Sequence, residues 1–188
     1  VALAVRRIAL ALAVMLAAGR LASADAADDR RALVMLRALA YDDHLGDRVG
    51  DEVRVIIVYP DGDAGLAEGR RWTQAFARAH KLKVAGRPVV VVARRFDRAL
   101  GDALGRAAAI VACDGLGRAI AELAAVTRAH HVLSLATRER DVAAGLALGV
   151  VPGETRDQIV VNLAAAAAEG VKFDAGLLQL ARAVEGPR

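Results

Sequence analysis

The chain has 188 residues, 56% hydrophobic and 26% charged, with a formal net charge of +4 and one cysteine. That length suits one domain of ordinary size with its own core. A lone cysteine excludes an internal disulfide, and 3% aromatic residues, with no basic run among them, argue against a nucleic-acid partner.

At the front, Arg6-Arg7 precedes an apolar run from Ile8 to Ala18 and then Ala22-Ser23-Ala24. A basic start, a short apolar core and a small-x-small site predict a secretory signal peptide over residues 1–24, leaving one domain over 25–188. The run is too short to cross a bilayer comfortably. The competing reading is an uncut anchor. Cleavage would remove Arg6, Arg7 and Arg20, leaving 23 basic against 22 acidic residues. The basic character thus belongs largely to the export signal.

Residues 25–30 are polar and are expected to fray. Arg31 to Tyr41 predicts a helix with Leu33, Leu36, Leu39 and Ala40 on one face. The polar segment Asp42 to Asp47 leads out of it. Val53 to Tyr59 is the first predicted strand, stopped by Pro60-Asp61-Gly62 because proline lacks a ladder donor and Asp-Gly suits turns. A helix follows from Ala64 to Leu82 with Trp72, Phe76 and Ala79 inward. Arg87 to Ala93 contains four consecutive valines, a pattern that suits a strand covered on both faces. A short helix over Phe96–Leu104, a strand over Ala107–Cys113 and a helix over Leu116–Ala129 come next. His131 to Leu135 is a fourth strand, and Thr137 N-caps a short helix reaching Ala143. Gln158 to Asn162 is a further strand, close enough behind Val151 to require an antiparallel hairpin. A small-residue turn of helix and a glycine break follow it. Asp174 then caps a last helix carrying Leu177, Leu180, Ala181 and Val184 on one face, with Phe173 and Leu178 as its hydrophobic staple.

Alternating strands and helices predict an α/β fold: a single-domain three-layer αβα sandwich of five or six strands, mostly parallel, with an antiparallel strand near the C-terminus.

Catalytic and metal motifs are absent from the sequence. The histidines are isolated (His44, His80) or adjacent (His130-His131), and adjacent residues on a strand point to opposite faces. No Gly-x-Ser-x-Gly, His-Glu-x-x-His or Walker-type loop occurs. Gly115-Leu-Gly117 follows a strand and opens a helix. Ile120 replaces the third glycine of a dinucleotide fingerprint, however, and Asp114 puts negative charge where a phosphate would sit. Cys113 ends an apolar run and is expected to be buried and inert. These readings predict no enzyme, no cofactor and no metal. In open α/β sheets ligands bind beyond the carboxyl ends of the strands. That edge gathers Tyr59, Asp61, Arg94, Arg95, Asp114, Gly115, Thr137 and Arg138 as a candidate crevice for a small polar ligand. The plainer alternative is a set of solvated loop residues.

Leu36 to Leu45 and Gly50 to Tyr59 resemble the opening of the YfiR-like (HmsC-like) periplasmic proteins. Val132-Leu-Ser-Leu with Ala144 to Val150 resembles their later part. The closing stretch, with Val161-Asn-Leu-Ala, Glu169-Gly-Val-Lys-Phe and Leu177 to Val184, is the most specific portion. The resemblance implies export to the periplasm, an α/β fold and no known catalysis. It also implies a role like that of the best-known member, a dimer that represses a membrane-bound diguanylate cyclase and so restrains cyclic-di-GMP signalling and biofilm formation. The chain departs from that branch in lacking its disulfide cysteines. Ala40 to Leu45 also replaces its Phe-x-x-Trp-Pro-like segment. The function expected is therefore a non-enzymatic regulator that binds a membrane-bound signalling receptor of diguanylate cyclase or histidine kinase type, with a homodimer as a further expectation. The Tyr41–Leu45 segment and the exposed sides of the first and last helices are its candidate contact surfaces. The alternative is a periplasmic solute-binding or sensing protein.

Overall fold

The computed structural model describes residues 25–79 and 83–186; the expected signal peptide lies outside them. In chain order the elements are α1 (residues 25–39), α2 (Leu45–Arg48), β1 (Val53–Tyr59), α3 (Asp63–Arg78), β2 (Val89–Arg95), α4 (Leu100–Ala103), β3 (Ala109–Ala112), α5 (Ala119–His130), β4 (Leu133–Ala136), α6 (Glu139–Ala143), β5 (Leu148–Val151), β6 (Gln158–Val161), α7 (Leu163–Ala168), α8 (Ala175–Leu180) and β7 (Ala181–Ala183). They build one seven-stranded sheet in the order β2-β1-β3-β4-β5-β6-β7. All neighbours are parallel except β5 and β6, which pair antiparallel from Leu148↔Val161 to Val151↔Gln158. The α/β class and the antiparallel strand agree with expectation.

Strand side chains alternate between two cores. Val53, Val55 and Ile57 of β1, with Ala109 and Val111 of β3, face Met35, Leu36 and Leu39 of α1 and Trp72 and Phe76 of α3. Ile56, Val58, Ile110 and Ala112 face the other way, onto Leu100 and Leu104 around α4, Ile120 and Leu123 of α5, and Val142 of α6. Strands buried on both faces are what a three-layer sandwich requires.

Five expectations are corrected. Helix α1 is already formed at the first described residue, ahead of Arg31, because Asp28 and Ala32 are buried and tertiary contact holds a turn that would otherwise fray. Its inner face is Ala32, Met35, Leu36 and Leu39, whereas Ala40 is exposed. The four valines of β2 are half-buried, since β2 is an edge strand paired only with β1. His130 ends α5 and His131 is its left-handed C-cap (φ 53°), so neither ring lies on a strand and both are exposed. The last helix stops at Leu180, and Ala181–Ala183 becomes a seventh strand, parallel to β6. Helical spacing continues through Ala181 and Val184, but the open edge of β6 offers ladder hydrogen bonds that a lone helical turn cannot match. Val184 N–H donates to Val161 O, and its side chain packs on the second core.

The closing segment is held locally as well. Asn162 caps α7 by accepting from Ala165 N–H, and Asp174 caps α8 by accepting from Leu177 N–H. Phe173 is buried but Leu178 is 39% exposed, so no staple closes; Phe173 instead bridges Asp42. Between these caps Glu169 is wholly buried. Its carboxyl accepts from the Thr127 hydroxyl at 2.7 Å and from the Ser134 hydroxyl and N–H at 2.6 and 2.8 Å. Ala147 N–H donates in turn to Ser134 Oγ. One acid thus ties the end of α7 to α5, β4 and the start of β5. Burial pushes its pKa up to about 7 against the pull of these donors and of Arg128.

Candidate functional site

The chain runs from β1 outward to β2 and then back across to β3, so the sheet has a switch point between β1 and β3. That is where an open α/β sheet normally opens a ligand crevice. Here it is filled. A Cβ on Gly65 would lie 2.0 Å from Pro60 O, and one on Gly69 would lie 2.6 Å from Tyr59 Cδ1. The first turns of α3 therefore sit directly on Tyr59-Pro60. Pro60 also reaches across to Gly115, where a Cβ would be 3.3 Å from its Cγ.

The charged residues expected to line this edge separate into two self-neutralised groups. Arg95 pairs with Asp61 at 3.2 Å; the hydrogen bond from Arg95 and that from Gly62 N–H hold Asp61 below the usual carboxylate range. Arg138 pairs with Asp114 at 2.7 Å, and Arg140 pairs with it from the other side. Partial burial raises Asp114, but the Arg138 hydrogen bond and charge, with Gly115 N–H and Arg140, outweigh it and leave the acid below its ordinary value. Arg94 is exposed. Thr137 is buried and its hydroxyl reaches Ala112 O at 3.4 Å. It does not cap α6 as expected: Arg138 occupies the N-cap, without a side-chain cap bond. Gly115 has φ 94°, and its N–H donates to Asp114 Oδ1. Gly115 and Gly117 thus form an ordinary strand-to-helix turn, with Ile120 in the core.

Of the eight expected residues, Thr137 and Arg138 line an open cleft of about 230 Å³, displaced from the switch point toward β4. Its other walls are Asp28 and Arg31 of α1, Glu68, Arg71 and Trp72 of α3, and Pro152 after β5. Asp28 is 3% exposed. Arg31 Nη1 donates weakly to its Oδ1 at 3.4 Å. Arg71 Nε lies 3.2 Å from Oδ2 in an ion pair, yet Oδ2 receives no hydrogen bond. Burial raises the Asp28 pKa, opposed by Arg71 and Arg31. Glu68 accepts from Arg71 at 2.8 Å and from the Trp72 indole N–H at 3.0 Å. Sequence reasoning missed these residues because 25–30 read as a frayed end and α3 offered only its apolar face. The signal available was Asp28 followed at helical spacing by Arg31, at the head of the predicted first helix. Cys113, beside this edge, is buried, and desolvation raises its thiol pKa, with Glu68 adding to the effect.

A second concavity, of about 600 Å³, lies between the first and last helices at the β7 edge. Val34, Arg37 and Tyr41 form one wall; Leu177, Gln179 and Leu180 form the other; Ile159 and Ala181 lie between. Leu180 is 68% exposed. The expected contact surfaces on the two helices are therefore one continuous groove. Within Tyr41–Leu45, Asp42 and Leu45 are buried and not available for contact. Asp42 pairs with Arg48 and accepts from the N–H groups of His44 and Lys172, which clamps the end of α1 to the closing segment.

Among the described residues no group of three or more metal-ligating side chains converges, and no helix is long and apolar enough to cross a membrane.

No curated protein matches the chain. Among solved structures it is similar to an ABC domain from Streptococcus pneumonia in complex with L-Trp, at 10% identity over 79% of this chain and 62% of that one, with a TM-score of 0.51. It is similar to a ligand-free, open substrate binding protein with adhesive properties from Clostridium difficile, at 10% identity over 77% and 58%, TM-score 0.53. A conserved domain protein from Vibrio cholerae matches at 15% identity over 69% and 54%, TM-score 0.51. The chain thus spans 54% to 62% of the length of these structures, and at such identities the likeness is one of fold alone. The YfiR/HmsC-like family model matches residues 51–182, from the residues before β1 to β7. With most of the sheet inside that match, the chain belongs to the YfiR/HmsC-like family.

Proposed function

We propose that the protein is a non-enzymatic periplasmic regulator, exported by residues 1–24 and working as the domain over 25–188. It binds the extracytoplasmic part of a membrane signalling protein of diguanylate cyclase or histidine kinase type. Family membership supports the regulatory role. The observation that carries the contact mode is the groove between α1 and α8. It pairs an apolar floor and an exposed Leu180 with Arg37, Arg156 and Arg182 at its sides. Exposed apolar surface with a polar rim is the usual make-up of a protein contact. Regulation then follows by population shift: the protein binds one receptor state more tightly than the other, and a few kcal/mol of difference suffices to switch it. The test is affinity capture from envelope membranes with the wild type and Leu180→Glu. A receptor captured by the wild type and lost with the variant supports the reading. Capture of no signalling receptor, with unchanged cyclic-di-GMP and kinase output on deletion, refutes it. Homodimerisation, checked by size-exclusion chromatography with multi-angle light scattering, is a separate part of the proposal.

A second reading is favoured by the cleft at the carboxyl edge: a small-molecule sensor or solute-binding protein. Two structures of like fold, a domain in complex with L-Trp and a substrate binding protein, are in keeping with it. The Thr137–Arg138 end of the expected crevice is its site.

A further inference from the structure

The carboxyl-edge cleft carries an inference beyond the general reading of a small polar ligand, on which it rests. A buried carboxylate oxygen without a donor is costly, because it loses its water and gains no hydrogen bond in exchange. Asp28 Oδ2 is such an atom, on a side chain 4% exposed: Arg71 Nε lies 3.2 Å away as an ion-pair partner but makes no hydrogen bond to it. The groups around the cleft restrict what could complete it. Arg31, Arg71 and Arg138 disfavour a bare cation, while Asp28 and Glu68 disfavour a bare anion. Two of the guanidiniums also have carboxylates outside the cleft: Arg31 pairs with Asp157 at 3.0 Å, and Arg138 with Asp114. The cleft is therefore close to neutral but strongly polarised. Its acid is deep at Asp28, where Arg31 and Arg71 offset it, and its remaining cation is at the mouth, where Arg138 is 52% exposed. A volume of about 230 Å³ is below the range of roughly 300–1,000 Å³ typical of ligand pockets. The Trp72 indole N–H is taken up by Glu68, so the ring supplies wall and no hydrogen bond. The Thr137 hydroxyl, with one long contact to Ala112 O, is free to turn toward an occupant.

We propose that this cleft binds a small ammonium–carboxylate zwitterion of the aliphatic amino-acid class, its ammonium donating to Asp28 Oδ2 and its carboxylate accepting from Arg138. The ammonium supplies the hydrogen bond that Asp28 Oδ2 lacks. The carboxylate meets Arg138 at the mouth and shares it with Asp114. Two opposite charges held apart within one small ligand match a cleft polarised in the same sense, which neither a simple amine nor a simple acid does.

The test is calorimetric titration of the full chain with glycine, L-alanine and L-serine. Methylammonium and acetate serve as half-ligands, and glycine betaine as a zwitterion without N–H donors. The amino acids bind, while the half-ligands and betaine bind at least about tenfold more weakly, the loss expected for one charge-assisted hydrogen bond. Asp28→Asn abolishes binding. Since that variant also disturbs the pairs with Arg31 and Arg71, Arg138→Gln is the second arm. It melts like the wild type without ligand and binds glycine at least about tenfold more weakly. Betaine binding as well as glycine, or glycine binding untouched by Arg138→Gln, overturns the proposal. A panel of mononucleotides and sugar acids separates the two levels. If one of these binds and the amino acids do not, the zwitterion is wrong and the small-molecule reading stands. If nothing binds, both fall.

Discussion

Glu169 offers the sharpest test of how the closing segment is held. It is an acid at zero exposure whose carboxyl accepts from three donors. Burial outweighs those donors and raises its pKa from 4.5 to about 7. When protonated, its own hydroxyl can donate to Thr127 Oγ. The Thr127 proton is then left for Ala124 O, which it already reaches at 3.1 Å. The sign follows from linkage: the folded state holds this proton more tightly than the unfolded chain, so the contribution is complete below pH 4.5 and is lost as pH rises through 7. A shift of that size corresponds to about 3 kcal/mol in full, most of it lost between pH 5 and pH 8. Glu169→Gln keeps the shape and removes the titration. Urea unfolding at pH 5, 6, 7 and 8 gives the stability of both proteins. All other titrating groups cancel in the difference between them. The wild type is predicted to lose roughly 2–3 kcal/mol relative to the variant across that range. A difference constant to within about 0.5 kcal/mol, or one that moves in the wild type's favour as pH rises, refutes the reasoning.

Other consequences are simpler to check. Asp174→Ala removes the α8 cap and should cost about 1 kcal/mol in urea unfolding while leaving signalling intact. Loss of signalling in a folded variant would instead put α8's first turn in the receptor contact. Gly65→Ala should destabilise by at least about 1 kcal/mol, because the overlap with Pro60 O exceeds the gain in helix propensity. Gly46→Ala, in α2 with open space around it, should be neutral or slightly stabilising, and the two melting temperatures make the comparison. Cys113, buried with a raised pKa, should resist a thiol reagent in the native protein and react fully in denaturant. Rapid native labelling would show that the edge beside Asp114 opens.

Much of this fold is legible in local pattern. Val53–Tyr59 reads as a strand because its apolar residues are continuous and Pro60-Asp61-Gly62 stops it, and β1 has those bounds. The short link from Val151 to Gln158 forces the hairpin that β5 and β6 form. Asp174 reads as a cap because a short acid precedes an apolar period, and it accepts from Leu177. The missed features depend on partners distant in sequence. Ala181–Ala183 has helical composition and becomes a strand only because β6 lies beside it. The valines of β2 look doubly buried, but their place at the edge depends on strand order, which no local run encodes. The same holds for the site. Spacing after strand ends finds Thr137 and Arg138, but Asp28 and Arg71 enter through the packing of α1 and α3. The mutual pairing of Asp61 with Arg95, and of Asp114 with Arg138, depends on which strands are neighbours.

The central claim is contact with a membrane receptor through the α1–α8 groove, and a site-specific crosslink tests it most directly. A photoreactive residue replaces Leu180, the most exposed large apolar side chain of the groove, and an otherwise identical protein carries it at Leu66, exposed on α3. After irradiation of intact cells, the account predicts a crosslink from position 180 to the extracytoplasmic domain of a membrane signalling protein, and none from position 66. Equal crosslinking from both positions, or a protein at 180 that joins to no membrane receptor, contradicts it.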